Sequence, residues 1–327
     1  MTDRIINPAS IPTHRAQLSR RNVLGLAGAA VGAAGLVVAT ATTSAAATTG
    51  AVTPGLGAAD PAGGVPAPVK VTEGRLDVGG GSIWYWDTET AGPPVVLLHS
   101  GIGSGESWPY QQAAFVRAGF RVISYSRRGS INSDPATGSD PGTRTGDLHQ
   151  LVTHLGLDRL HLLGVALGGI VAFDYACQYP ERLASLTVAC STGGVQDPEY
   201  VALSNSLRPA GFETMPAEFR ELGPTYRAAN PAGVAAWLEI TRRARTGAMQ
   251  PAPASGLTWA KLETITTPTL LLTGDADLYT PPPIMRMFQQ RIPRSRAVVV
   301  EDCGHNPHWE QPDFFNSTVT RFFAHRR

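Results

Sequence analysis

Six short, largely apolar runs constrain this 327-residue chain more than any other feature. They are PVVLL (94–98), RVISY (121–125), LHLLGV (160–165), LASLTVA (183–189), TLLLT (269–273) and AVVV (297–300). Each is too short for a stable helix. PVVLL is apolar throughout, as in a strand covered on both faces. Between the runs, 109–118, 145–155 and 167–179 read as helices, the second with Leu148, Leu151, Val152 and Leu155 on one side, and 313–324 reads as a terminal helix. A hairpin precedes them, 75–78 and 82–87 flanking Gly79-Gly80-Gly81. Alternating strands and helices imply an α/β fold, a mostly parallel twisted sheet flanked by helices.

The alternation fails once. Residues 195–259 hold no strand-like run but two helix starts, Met215-Pro216 and Asn230-Pro231, predicting helices over about 216–226 and 231–246. A helical insert between two strands reads as a cap over the carboxyl edge of the sheet, where open α/β sheets bind ligands. Phe212, Met215, Phe219, Tyr226, Trp237 and Met249 are expected to pack the cap or to make an apolar pocket. Arg242, Arg243 and Arg245 read as a solvated face.

The amino terminus reads as a targeting segment. Ser19-Arg20-Arg21-Asn22-Val23-Leu24 resembles the twin-arginine export motif, an apolar stretch follows at 23–38, and Ala45-Ala46-Ala47 offers a cleavage site. Residues 1–47 are therefore expected to be a twin-arginine signal peptide, 48–68 a flexible linker, and 69–327 the folded body with its cap at about 195–259. That predicts a secreted or cell-envelope protein whose partner in export is the twin-arginine machinery. Apolar residues make up 43% and charged residues 16%, and the formal net charge is +1, so a sizeable core is available and a nucleic-acid surface is not expected. Cys177, Cys190 and Cys303 are too few and too scattered for a disulfide framework and are expected to be free thiols. No cysteine–histidine spacing suits a metal, and no cofactor is implied. The loop Gly101-Ile102-Gly103-Ser104-Gly105 lacks the Lys-Ser/Thr ending of a phosphate-binding loop.

The third apolar run leads into Gly164-Val165-Ala166-Leu167-Gly168, the strand–turn–helix pattern G-x-S-x-G with alanine where the nucleophile would be. Two acids, Asp275 and Asp277, follow the TLLLT run, and His305 follows the last one. The stretches VVLLHSGIGSGESW, VISYSRRGSINSD, LLGVALGG, LLLTGDADLYTPP and EDCGHNPHWEQPDFF together resemble the α/β-hydrolase family from about residue 75 to the carboxyl terminus. That resemblance implies His305 as the catalytic base and Asp277 as the acid that orients it, with Asp275 as a rival. It also implies an oxyanion hole made by the amides of Leu167 and of Gly101 or Ser100. His308 is expected to support the site or the structure, and Glu310 and Pro312 to belong to a helix entry.

Ala166 admits three readings at this level: a Ser-to-Ala version of a serine hydrolase, a natural enzyme whose His305–Asp277 pair activates water or a substrate proton directly, or a ligand-binding protein without chemistry. Ser100 and Ser191 are the substitute hydroxyls. The expected substrate is a small, largely apolar ester or lactone, with a non-hydrolytic lyase or cyclase as the alternative.

Overall fold

A computed structural model describes residues 64–138, 140–250 and 256–325. The expected signal at 1–47 and most of the expected linker lie outside the described residues. Eight strands form one sheet in the order β1-β2-β4-β3-β5-β6-β7-β8. β1 (Thr72–Asp77) and β2 (Ser82–Asp87) make the hairpin, with Asp77 opposite Ser82, and β2 runs antiparallel to β4 (Arg121–Tyr125). The rest is parallel: β3 (Pro94–Leu98), β5 (Leu160–Val165), β6 (Leu183–Ala189), β7 (Thr269–Gly274) and β8 (Ser295–Val300). Every residue of β5, β6 and β7 is buried, which is why those strands read as largely apolar runs. β1 starts at Thr72 rather than at 75 because an edge strand with one open face carries no such run.

Alternate strand residues feed two cores. Val96, Leu98, Leu160 and Leu162 point to one, with α2 (Arg144–His154), α3 (Leu167–Gln178), α8 (Trp259–Glu263) and α9 (Pro282–Arg291) packed over them. Val95, Leu97, Leu163 and Val165 point to the other, under α1 (Pro109–Arg117) and α11 (Pro312–Ala324). α9 went unread in the sequence because three prolines open it. Pro282 and Pro283 sit in the first turn, where a missing N–H costs nothing.

The insert differs from expectation in its details. α4 (Pro198–Ser206), capped by the Asp197 side chain on the Tyr200 amide, was not anticipated. The single helix expected at 216–226 is two, α5 (Ala217–Glu221) and α6 (Pro224–Ala229), because Pro224 forces Gly223 into extended backbone (φ −63°, ψ 152°). α7 (Pro231–Ala244), capped by Asn230, ends two residues earlier than expected. Tyr226 and Trp237 pack with Leu222 and Trp309 into a core of their own. Arg242 and Arg243 pair with Glu239 on the surface. α10 (Pro307–Glu310) precedes α11.

Candidate active site

β5 ends in a turn too tight for side chains on its flanks. A Cβ on Gly164 would strike the Gly168 carbonyl, and one on Gly168 would strike the Leu98 carbonyl. Between them Ala166 takes φ 51°, ψ −113°, a strained backbone for any residue but glycine. Hydrogen bonds outside α3 help to hold it there: its amide donates to the Ala189 carbonyl (2.9 Å) and its carbonyl accepts from Ser191 Oγ (2.8 Å). Ser191 therefore braces the turn from behind and does not line the cavity in front of it.

That cavity has a volume of about 290 Å³, and Ser100, Gly101, Ala166, Leu167, Cys190 and His305 form part of its wall. His305 Nδ1 lies 2.9 Å from both carboxylate oxygens of Asp277. Asp277 is itself fixed: the Tyr279 and Thr280 amides donate to Oδ1 (2.8 and 3.0 Å) and the Thr273 hydroxyl to Oδ2 (3.1 Å). Asp275, the rival acid, accepts instead from the Asp302 and Cys303 amides (both 3.1 Å) and ties the β7 loop to the β8 loop. Burial alone would raise the Asp277 carboxyl. His305 and the donated hydrogen bonds outweigh burial and hold it below its usual range. Burial likewise disfavours a charged His305, but Asp277, with Glu221 and Glu310 behind it, pushes the imidazole up to about 9. With Asp277 ionised, Nδ1 is the donor, and Nε2 is the ring nitrogen left for chemistry.

The oxyanion candidates are built from the backbone. Arg127, buried behind the β3 turn, donates to the His99 and Ser100 carbonyls (both 2.6 Å). The Arg127 amide donates to His99 Nε2 (3.1 Å), so the neutral His99 carries its proton on Nδ1, which donates to the Ser100 carbonyl (2.8 Å). Burial, with Arg127 beside it, keeps His99 uncharged, its pKa far below the usual range. Because the peptide is trans, a Ser100 carbonyl held toward Arg127 turns the Gly101 N–H the opposite way. The Leu167 amide opens α3, where helical N–H groups have no internal partner. Neither amide has a backbone partner among the described residues. A Cβ on Gly101 would lie 3.7 Å from the Leu167 side chain, so the two positions are neighbours.

Several functional features escaped the sequence reading. The cap residues lining the cavity are Arg208 and Glu221, not any of the six apolar candidates, and Tyr279 joins them from the β7 loop. Glu310, expected only at a helix entry, accepts from the amides of Gly223 (2.7 Å), Gly304 (3.0 Å) and Asn306 (3.0 Å) and so clips the cap to the His305 loop. The backbones meet at Gly223 and Gly304, where a Cβ on either would strike the other segment. Gly223-Pro224 and Gly304 were the available signals. Glu310→Gln sets an amide NH₂ against those donors and is expected to cost about 2–4 kcal/mol, read as a lower midpoint of urea unfolding. An unchanged midpoint would remove the clip. His308, buried against Trp108, is lowered to about 3 by burial and by the charge of His305, and stays neutral. All three cysteines are free. Among the described residues, Cys190, Asp277 and His305 bring metal-ligating atoms within 4.8 Å of one another, but the Asp277–His305 hydrogen bond already engages the carboxylate and Nδ1.

The chain is 30% identical over 281 residues to 2-hydroxy-6-oxononadienedioate/2-hydroxy-6-oxononatrienedioate hydrolase 1 of Pseudomonas putida, covering 79% of this chain and 96% of that protein. A thermophilic esterase from Thermogutta terrifontis, solved with malate bound, superposes with a TM-score of 0.63 at 26% identity over 78% of this chain and 98% of that one. The enol-lactonase from Burkholderia xenovorans LB400 has the same fold, with a TM-score of 0.63 at 22% identity over 77% of this chain and all (100%) of that one. The model of the alpha/beta hydrolase family matches residues 95–318, and the chain belongs to that family of enzymes.

Proposed function

We propose that the chain hydrolyses small esters or lactones by direct attack of water, with His305 as the general base and Asp277 as the group that holds its ring. The supporting observation is the His305 imidazole held through Nδ1 by both oxygens of Asp277 in the wall of the cavity that Ala166 also lines. Alanine at the seat leaves the room of a hydroxyl for a water molecule. Neutral Nε2 takes a proton from that water as its oxygen attacks the carbonyl carbon. The negative charge gathers on the carbonyl oxygen, between the amides of Gly101 and Leu167. Collapse breaks the bond to the leaving oxygen, which takes the proton back from the imidazolium. Ile102, Leu167 and Ile170 give the cavity an apolar side, and its 290 Å³ suits a substrate of few atoms.

The test is incubation of phenyl acetate and δ-valerolactone with the full chain, read by mass spectrometry of both substrate and protein. Product without an acyl adduct on the protein is expected. An acyl adduct would replace the water route by a covalent one. Ligand recovered unaltered after stoichiometric binding would make the chain a binding protein on a hydrolase fold.

A further inference from the structure

The cap places two charged groups on a cavity whose other lining residues, His305 apart, are small, apolar or hydroxyl-bearing. One is already engaged. Glu221 accepts from the Tyr279 hydroxyl (2.9 Å) and from Asn306 Nδ2 (3.4 Å), and it is 7% exposed. The other is not. Arg208, just beyond α4, donates from Nη1 to Glu213 (3.3 Å), whose side chain is 75% exposed, and so loosely held a pair contributes little. Arg208 Nε is shielded from solvent and donates to nothing among the described residues. The guanidinium carbon lies 5.0 Å from the centre of the Phe212 ring and 6.0 Å from that of Tyr279. Those rings support the guanidinium without using its N–H groups. Arg208 also lines the two hollows next to the cavity, one with Pro209 and Phe212 and one with Thr192 and Tyr200. It therefore stands at the mouth of the cavity.

We infer that Arg208 is a carboxylate-binding residue and that the substrate is an ester or lactone carrying a free carboxylate a few carbons from the carbonyl attacked. A planar guanidinium that spends Nη1 on a mostly exposed acid keeps further N–H groups with which to meet a carboxylate. A site at the mouth lets the anion keep part of its hydration, so desolvation does not cancel the attraction. A singly charged group also fits better than a phosphate dianion, because Glu221 contributes negative charge to the same cavity. Ile102, Leu167 and Ile170 suit the short carbon chain that would join the two ends. The inference rests on the hydrolase reading for its word ester, and on Arg208 alone for its word carboxylate.

Two measurements separate those parts. Calorimetric titration of the full chain with succinate, glutarate and adipate, and with their neutral diamides, reads the anion site without turnover. The best-fitting dicarboxylate is expected to bind about 10- to 100-fold more tightly than its diamide, the range of one charge-assisted hydrogen-bonded contact. Arg208→Met abolishes that preference, and Arg208→Lys keeps a part of it. Equal binding of acid and diamide, no measurable binding of any dicarboxylate, or a preference that survives Arg208→Met in a folded protein overturns the inference. The second measurement is the ratio of kcat/KM for monomethyl and dimethyl esters of the same acids. The ratio favours the monoester and falls by a similar factor in Arg208→Met. Turnover of both esters with no such ratio sinks the carboxylate site and leaves the hydrolase. Dicarboxylate preference with no turnover of either ester sinks the hydrolase and leaves the site.

Discussion

Ala166→Ser is expected to raise the release of p-nitrophenol from its acetate on the order of 10³-fold or more over the unsubstituted chain, since removing a triad serine costs about 10⁶ in turnover elsewhere. The expectation is large because Asp277 already holds His305 in the wall of the cavity that residue 166 lines. Serine asks nothing new of the backbone, as the strained φ of 51° is already borne by a residue with a Cβ. The hydroxyl would enter the cavity that holds the free side of His305, beside the amides of Gly101 and Leu167. The reaction should also change in kind. A burst of p-nitrophenol equal to the enzyme present, and an acetyl group on the peptide containing residue 166, mark a covalent route. A folded Ala166→Ser protein with neither gain nor burst would mean that His305 Nε2 does not reach the seat, and direct activation of water at that place would fall with it.

What the sequence disclosed follows physical lines. Strands buried on both faces announce themselves, because apolar residues dominate them; β3, β4, β5 and β6 have the bounds that their runs imply. The turn at Ala166 was legible from its glycines, since only they permit the close approach of β3 and α3. The spacing Gly274-x-x-Asp277 separated two acids that differ in nothing else, and the structure gives Asp277 to His305 and Asp275 to two loop amides. The cap was legible as helices and illegible as a wall. Its apolar residues are the obvious candidates for a pocket, yet Tyr226 and Trp237 are spent on holding the cap together, and Arg208 and Glu221 face the cavity. A charged side chain reads as solvated unless the fold that surrounds it is known. Glu310 was hidden for the same reason, because its three partners are backbone amides from two segments far apart in the chain.

Cys190 shows how the seat and the acid are joined. Val165 pairs with Ala189, so Ala166 and Cys190 leave neighbouring strands at the same level, and both take positive φ (51° and 52°). Two adjacent strands thus end in the same strained bend, one at the seat and one beneath the Asp277–His305 pair. Burial first, then the Asp277 charge, raise the Cys190 thiol well above its ordinary range and keep it protonated, which suits a filler of space under the imidazole.

Loss of the imidazole in His305→Ala is expected to lower hydrolysis by about 10²- to 10⁴-fold, the contribution of a placed general base. The pH dependence makes the assignment specific. A ring with its pKa pushed up to about 9 is only about 1% neutral at pH 7. The rate should therefore climb about tenfold per pH unit from pH 7 and level off near the pKa of the Asp277–His305 pair. Asp277→Asn removes the carboxylate that raises the ring and leaves burial, which lowers it. The inflection should move to lower pH while the plateau falls by up to about 10⁴-fold through loss of the ring's tautomer and orientation. Stability runs the other way. A histidine whose folded pKa lies above its unfolded value of about 6.5 stabilises the protein below pH 6.5, and that contribution disappears as pH rises through about 9. Thermal unfolding of the unsubstituted chain should then lose more of its midpoint between pH 6.5 and 9.5 than that of His305→Ala. A rate already flat from pH 7 upward, with midpoints that fall in parallel, would show that His305 is neutral at rest and that Asp277 orients the ring without charging it.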